Sequence, residues 1–310
     1  MTPESEKNFL ARLWIYQKER FPLPGYLPLV AAFAFSAASY SRICRGAEGF
    51  VPWTRLGAGI ATSFGIFLLL RLFDEFKDAE DDAAFRPYRP VPRGLVTLRE
   101  LGWLIAGVIA AMVLLNAWAM PAMLPALGLA LGYILVMWRE FFVRDWLRRH
   151  PVAYMATHML IMPLTDFYTT GLDWMNERVA MPRGLFPFLA VTFLNGCVIE
   201  IGRKIRHPKD EEKGVETYSY LWGPNRAAGI WLGILSLTAV LAYRCCAAGG
   251  YGRTALPFLA LCWLGCAAPA LLFVKTGRHA AKIETAAGVW TVCMYLLIGG
   301  VPMLVERLGS

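Results

Sequence analysis

Charged residues are scarce in this sequence. Asp, Glu, Lys and Arg make up 17% of its 310 residues, whereas ordinary soluble domains carry about 25%. Hydrophobic residues make up 57%, which gives the chain ample apolar surface and excludes intrinsic disorder. They lie in long runs, and the short clusters between the runs hold nearly all the charge. The pattern predicts an all-α polytopic membrane protein and argues against the soluble two-domain enzyme that the length alone suggests.

The sequence also lacks the usual signatures of metal–thiolate and zinc chemistry. Its seven cysteines show no metal-ligand spacing, and most of them lie in or near apolar runs, where they are expected to pack as small hydrophobic residues. Its four histidines are scattered and form no H-x-x-x-H pair, so a zinc site is not expected. Segment 1–22 lacks the apolar core of a cleaved signal peptide and is expected to lie on the inner membrane surface as an amphipathic stretch.

Nine apolar segments are long enough to cross the membrane as helices. A hydrocarbon layer of about 30 Å takes about 20 residues, and the runs do not alternate as barrel strands do. The weakest segment, 151–170, contains His158 and Asp166. We predict one domain over residues 1–310, in which 23–306 forms a nine-helix bundle. The nine segments lie near 25–44, 56–73, 100–118, 121–138, 151–170, 185–202, 227–243, 254–274 and 286–305.

The basic residues predict the orientation of this bundle. With the N-terminus inside and successive loops on alternate sides, 23 of the 31 Lys and Arg residues fall inside and 8 outside. Because cytoplasmic loops are enriched in Lys and Arg, we predict a cytoplasmic N-terminus, cytoplasmic loops at 71–99 and 200–226, and an outer C-terminus. The net charge of +8 is then mainly a topology signal, which also suits anionic membrane lipids, and needs no nucleic acid partner.

Loop 71–99 concentrates carboxylates directly after an apolar segment. If the helix continues, Glu75, Asp78 and Asp82 lie on one face, and Asp74 lies close to it. Like charges this close repel, and Mg²⁺ would relieve the repulsion and bridge the carboxylates to substrate phosphates. A solvated acidic helix end is the structural alternative. The shared face favours the metal, as do the basic residues that follow, Arg86, Arg89 and Arg93.

Loop 200–226 leaves the membrane on the same predicted side. Glu200 lies at the end of an apolar run, where a carboxylate is a functional candidate by default. The structural alternative is that Glu200 pairs with Arg203 or Lys204 one turn further along the chain.

The first loop resembles the first signature of the UbiA superfamily of intramembrane prenyltransferases. That signature is N-D-x-x-D-x-x-x-D, followed shortly by R-P-x-P-x-G-x-V. Asp74 stands at the Asn position, Glu75 at the first Asp, and Asp78 and Asp82 match the remaining acids. The downstream element is matched by Arg89, Pro90, Pro92 and Gly94.

The second signature of the family, D-x-x-x-D followed by G-x-x-T and a Leu-Gly helix start, is rewritten in this chain. Asp210 matches one acid, but the preceding acid falls at about Arg206. Glu200 resembles a Glu found just upstream in some archaeal lipid-forming members. The remaining elements are matched by Gly214, Thr217, Leu221 and Gly223.

The resemblance implies a bundle around a cavity that opens sideways to the bilayer, where Mg²⁺ holds a prenyl diphosphate between the two loops. The expected reaction is Mg²⁺-dependent transfer of the prenyl group to an aromatic or lipid acceptor. The alternatives are a terpene cyclase of the same family, and a transport or non-catalytic protein on this scaffold. The expected metal ligands are Asp74, Glu75, Asp78, Asp82, Glu200 and Asp210, all but Glu75 also expected to be catalytic. The expected diphosphate ligands are Lys77, Arg89, Arg93, Arg144, Arg203, Lys204 and Arg206, with Arg148 and Arg149 as further candidates.

Overall fold

The computed structural model describes residues 7–211, 217–277 and 280–308. Over these ranges the chain is helical and contains no strand. Eight described segments are long and apolar enough to cross a membrane, judged by length and composition. They are Leu23–Arg45, Trp53–Lys77, Leu98–Ala119, Pro121–Trp138, Leu185–Gly202, Pro224–Ala248, Gly252–Thr276 and Ala280–Glu306. The predicted all-α integral membrane protein is confirmed.

The α-helices are numbered in chain order. The first seven are α1 (Phe9–Arg20), α2 (Leu23–Arg45), α3 (Trp53–Lys77), α4 (Ala79–Phe85), α5 (Leu98–Ala119), α6 (Leu124–Trp138) and α7 (Arg144–Arg149). Next come α8 (Pro151–Met159), α9 (Ile161–Trp174), α10 (Leu185–Gly202), α11 (Tyr218–Trp222), α12 (Pro224–Ala248), α13 (Gly252–Thr276), α14 (Ala280–Tyr295) and α15 (Val301–Leu308). A π-helical turn, Leu296–Gly300, joins α14 to α15.

The predicted segment 151–170 forms two consecutive helices and not one long helix. Helix α8 ends at Met159, and α9 begins at Ile161. Pro163 explains the interruption, because it has no N–H to donate to the Met159 carbonyl and its ring crowds that oxygen. Eight of the nine predicted segments therefore correspond to helices of membrane-spanning length, and the ninth is a broken pair.

Two hydrophobic clusters form the core, and α2 contributes to both. One cluster joins α2 to α1, α3, α5, α6 and α9. The other joins α2 to α10, α12, α13, α14 and the π-helical turn. Each long helix therefore buries one side against its neighbours and leaves another available to lipid, as expected for a membrane bundle.

A close approach between α2 and the π-helical turn requires a glycine. A Cβ atom at Gly299 would lie only 1.9 Å from the carbonyl oxygen of Ser36. Next to this contact, the rings of Phe33 and Tyr295 stack with their centroids 4.2 Å apart. Only hydrogen at position 299 lets the two backbones meet, which fixes the C-terminal helices against α2.

The N-terminal segment forms helix α1, which is tied to α3 and α5 by ion pairs. Tyr16 is buried, and the Arg20 Nε atom lies 2.6 Å from Glu75 Oε1 on α3. Arg12 binds both carboxylate oxygens of Glu100 on α5, at 2.5 and 3.1 Å. These contacts hold α1 against the ends of α3 and α5.

Candidate active site

A cavity of about 590 Å³ lies at the end of the bundle where α3 and α10 finish. Both predicted loops contribute to its lining. The predicted site residues in the lining are Asp74, Lys77, Asp78, Arg89, Arg144, Glu200, Arg203, Lys204 and Arg206, joined by Arg148. Side chains that the sequence analysis did not single out for the site include Arg71, Glu140, Tyr154, Tyr218 and Glu284.

The described lining is strongly charged and carries an excess of basic groups. Nine of its residues are Lys or Arg, and six are Asp or Glu. A cavity with this balance suits an anionic ligand, because guanidinium and ammonium groups provide charge-assisted hydrogen bonds to phosphate oxygens.

Asp74 and Asp78 face the cavity together from the end of α3. The helix ends at Lys77, but the backbone hydrogen bonds continue, from Asp78 N–H to the Asp74 carbonyl at 2.9 Å and from Asp82 N–H to the Asp78 carbonyl at 2.8 Å. Residues one turn apart therefore share a side. Burial raises the pKa of the Asp78 carboxyl above its ordinary value; Lys77 opposes the rise, and Asp82 adds to it. A bound cation at this point would offset the cost of the charge.

Glu75 faces away from the cavity. Its carboxylate is 1% exposed and lies 2.6 Å from Arg20 Nε and 3.4 Å from Arg71 Nη2. Successive residues of an α-helix are about 100° apart, so Glu75 does not share the direction of Asp74. The expectation that Glu75 lies on one face with Asp78 is wrong, because α1 supplies a cation on the opposite side.

Asp82 is buried beneath the cavity between two arginines. Arg89 Nη1 donates to both Asp82 oxygens, at 2.7 and 2.6 Å, and Arg86 Nη1 donates to Oδ1 at 3.0 Å. Between Asp82 and Arg89, the Arg89 N–H donates to the Arg86 carbonyl at 3.0 Å in a turn. The R-P-x-P-x-G element forms the next turn, in which Gly94 has a φ of 78°, a left-handed conformation that favours glycine.

Lys77 is held by a group of side chains from the segment around α7 and α8. Its Nζ atom lies 3.2 Å from Glu140 Oε1 and 3.3 Å from His158 Nε2, and it donates to the Tyr154 hydroxyl. Tyr154 and His158 are one helical turn apart in Y-x-x-x-H, a spacing that could have drawn attention to them.

Glu140 is the first of three consecutive non-glycine residues with left-handed backbone. The φ angles of Glu140, Phe141 and Phe142 are 48°, 55° and 61°. Such strain persists only where the surroundings impose it, and it clusters at functional sites. Nothing in the residue types of this turn signals the conformation in advance.

Glu200 forms both of the ion pairs considered as its structural alternative. Its Oε2 atom accepts from Arg203 Nε at 2.7 Å, and its Oε1 atom lies 2.8 Å from Lys204 Nζ. Glu200 is buried, and it lines the cavity together with both basic partners.

Besides Glu75 and Asp82, the predicted site residues Asp210, Arg149 and Arg93 are not part of the described lining. Asp210 ends an exposed 3₁₀ turn, Pro208–Asp210, and Arg149 also lies outside the lining. Arg93 binds the Glu19 carboxylate at 2.7 and 2.8 Å. Gly214, matched to the second signature, lies outside the described residues.

The donor set of the first loop fits a magnesium ion that arrives with a phosphate ligand. Mg²⁺ usually takes one or two protein carboxylates and completes its shell with phosphate oxygens and water. Asp74 and Asp78 can supply that pair. Over the described ranges, no group of three or more His, Cys, Asp or Glu side chains is placed to hold a metal by itself. Binding of Mg²⁺ at Asp74 and Asp78 therefore depends on the phosphate ligand that completes its coordination shell.

Fold and cavity define a polytopic helical membrane protein with a charged chamber at one end. A UbiA homolog from Aeropyrum pernix K1 shares the fold with a TM-score of 0.69 and 18% identity, over 91% of this chain and 98% of that chain. A digeranylgeranylglyceryl phosphate synthase does so with a TM-score of 0.65 and 13% identity, over 94% and 99%. No family model and no curated protein matches the sequence. The UbiA-type fold implied by the first signature is confirmed.

Proposed function

We propose that this protein transfers a prenyl group from a prenyl diphosphate to an acceptor within the membrane, in a Mg²⁺-dependent reaction. The observation that carries the proposal is the cavity in which Asp74 and Asp78 meet basic side chains at the end of an apolar bundle. A site for a prenyl diphosphate needs three things. It needs carboxylates that bind the metal ion, basic groups that bind the phosphates, and apolar helices that surround the hydrocarbon tail.

Within this proposal, Asp74 and Asp78 hold the metal ion, and basic side chains around them hold the diphosphate. When bound, Mg²⁺ stabilises the negative charge that develops on the departing diphosphate. The basic side chains proposed for the diphosphate are Lys77, Arg89, Arg144, Arg203, Lys204 and Arg206, all in the cavity lining. The glutamate at 140 keeps the Lys77 ammonium beside Tyr154 and so sets where that charge lies.

The apolar helices contribute by excluding water from the reacting carbon. An allylic cation is consumed by water unless the walls around it are dry. A digeranylgeranylglyceryl phosphate synthase is among the solved structures that share this fold, which supports a lipid acceptor ahead of an aromatic one. A terpene cyclase would use the same donor and no acceptor, so the identity of the product separates the two reactions.

The first experiment measures donor binding by the purified protein. Geranylgeranyl diphosphate is titrated with Mg²⁺ or with EDTA, using the wild type, Asp74→Ala and Asp78→Ala. We expect the Mg²⁺-dependent affinity to fall at least about tenfold in each variant, corresponding to about 1.4 kcal/mol. Asp81→Ala is the matched control, because Asp81 lines the cavity but is exposed, with its nearest ion-pair partner at 4.0 Å.

Product analysis completes the test. Lipid mass spectrometry of membranes with and without the protein should show a prenylated lipid that disappears in Asp78→Ala. A cyclic hydrocarbon would indicate the cyclase. Failure of the wild type to bind the donor in Mg²⁺, or equal binding by both aspartate variants, would contradict the enzyme proposal. Solute flux in proteoliposomes that is the same in the wild type and in both aspartate variants would favour a transporter.

A further inference from the structure

The two sides of the cavity offer different chemistry to a diphosphate. The first loop presents Asp74 and Asp78, and the ion-pair partner of Asp74, Arg71, is 3.6 Å away. The second loop presents basic groups and Glu200, which pairs with two of them at 2.7 and 2.8 Å. We propose that the cavity takes a prenyl diphosphate with a single divalent cation at Asp74 and Asp78, and that basic side chains after α10 take the place of a second metal ion. This inference rests on the proposed function and departs from the two-metal arrangement that the family resemblance implies.

Asp82 is not available to a metal ion, because two arginines already bind its carboxylate. Both of its oxygens accept hydrogen bonds from Arg89, and Oδ1 also accepts from Arg86. The carboxylate is 2% exposed and is not part of the cavity lining. A metal ion at Asp82 would have to displace the Arg89 guanidinium from both carboxylate oxygens, which leaves a buried positive charge without its partner.

Among the described acids of the second loop, Glu200 alone lines the cavity, and it already has basic partners. Glu200 pairs through one oxygen with Arg203 and through the other with Lys204. The oxygens of Glu211 accept hydrogen bonds from the hydroxyls of Thr217 and Ser219 at 2.7 to 2.8 Å. Asp210 lies outside the cavity lining. The described part of this loop therefore brings no carboxylate to the cavity without a basic partner.

Basic groups from the second loop line the same cavity as the two aspartates. Arg203, Lys204 and Arg206 belong to this lining together with Asp74 and Asp78, and the Arg203 side chain is 54% exposed. One divalent cation leaves negative charge on a diphosphate, which guanidinium groups neutralise with paired hydrogen bonds. Unlike a metal, these groups stay in the protein under chelation, so part of the donor affinity should survive EDTA.

The decisive measurement counts metal ions. Mn²⁺ bound to purified protein is titrated by electron paramagnetic resonance, with geranylgeranyl S-thiolodiphosphate as the donor analogue, because its bridging sulfur resists cleavage. We expect one Mn²⁺ per chain in the wild type, one in Asp82→Asn, and none retained at the same free concentration in Asp78→Asn. Two Mn²⁺ in the wild type, or loss of the ion in Asp82→Asn, overturns the proposal.

A second experiment tests the basic side chains by measuring the affinity of the protein for the donor analogue in EDTA, where no metal ion is bound. Arg206→Gln should weaken metal-free binding at least about tenfold while leaving the Mn²⁺ count at one. Lys209→Gln is the matched control, since Lys209 belongs to the same loop, is exposed and does not line the cavity. Equal loss in the control, or no loss in Arg206→Gln, rejects the role of the cavity's basic groups.

Two further results separate this proposal from the proposed function. If the wild type binds two Mn²⁺ and one is lost in Glu212→Gln or Glu216→Gln, the second loop supplies a metal site and only the single-metal proposal fails. If the wild type binds no analogue, with or without Mn²⁺, the prenyltransferase proposal itself fails.

Discussion

Side-chain direction at the end of α3 decides which acids serve the cavity. The spacing of Asp74 and Asp78 predicts that they share a side, and the structure brings both into the lining. The opposite direction of Glu75 could not be predicted from nearby residues, because its partner Arg20 is 55 positions away on another helix. Likewise, the pairing of Arg89 with Asp82 depends on the turn in which the Arg89 N–H donates to the Arg86 carbonyl.

A single substitution at Gly299 tests how much the close packing of α2 against the π-helical turn contributes to stability. Gly299→Ala should lower the stability of the bundle by about 1–3 kcal/mol, because the new methyl group meets the Ser36 carbonyl and the backbones must separate. The measurement is thermal unfolding in detergent.

The control for this prediction lies on α14. A Cβ at Gly288 would have no atom within 4 Å outside its own helix, so Gly288→Ala should be neutral or slightly stabilising. Equal melting temperatures for the two alanine variants would show that the close approach at Gly299 contributes nothing.

Among the elements, α1 supplies the nearest cation to Glu75 in the first acidic motif. Arg20→Gln should destabilise the protein by up to about 3–5 kcal/mol, because it leaves the Glu75 carboxylate buried with the more distant Arg71 as its ion-pair partner. The readouts are the melting temperature in detergent and the rate of proteolysis within α1.

The paired variant separates a lost charge partner from a damaged helix. Arg20→Gln with Glu75→Gln removes the buried charge and should recover most of the loss. Lys18→Gln, on the exposed side of α1, should change little. A double variant as unstable as Arg20→Gln alone would show that the ion pair is not what holds α1.

The boundaries of the helices could be predicted where proline or hydropathy determines them. They could not be predicted where contacts between distant parts of the chain determine them. Eight apolar runs became helices of spanning length. Pro163 was visible in the sequence as a breaker of segment 151–170, although the hydropathy of that segment favoured one span. The left-handed turn from Glu140 to Phe142 had no such signal, because none of these residues favours positive φ.

For the whole molecule, the distribution of basic residues predicts which side of the membrane the cavity opens to. Single cysteines are introduced by Glu48→Cys after α2 and by Lys209→Cys after α10, both at exposed positions. A membrane-impermeant maleimide should label position 48 in intact cells and position 209 only after permeabilisation, because basic loops stay inside.

The parent chain, labelled in parallel, controls for its seven native cysteines. The reverse labelling pattern would place the N-terminus and the cavity outside. That result would refute the orientation while leaving the fold and the binding experiments unaffected.

The fold was largely predictable at this scale, and the balance of charge in the cavity was not. Runs of apolar residues predict a helical membrane bundle, and the first motif indicates its type. Which acids are neutralised by arginines depends on how separate loops meet. Asp82 and Glu200 could be assessed only once Arg89, Arg203 and Lys204 were located.

The ion pair between Arg20 and Glu75 should constrain which substitutions related sequences accept at these two positions. A glutamate within the first acidic motif is tolerated here because a cation on another helix neutralises it. In lineages that lose the basic residue at position 20, selection should replace the glutamate at 75 with a neutral residue, or remove both together. Correlated change at these two positions, 55 residues apart, is therefore the evolutionary trace expected of the docking of α1.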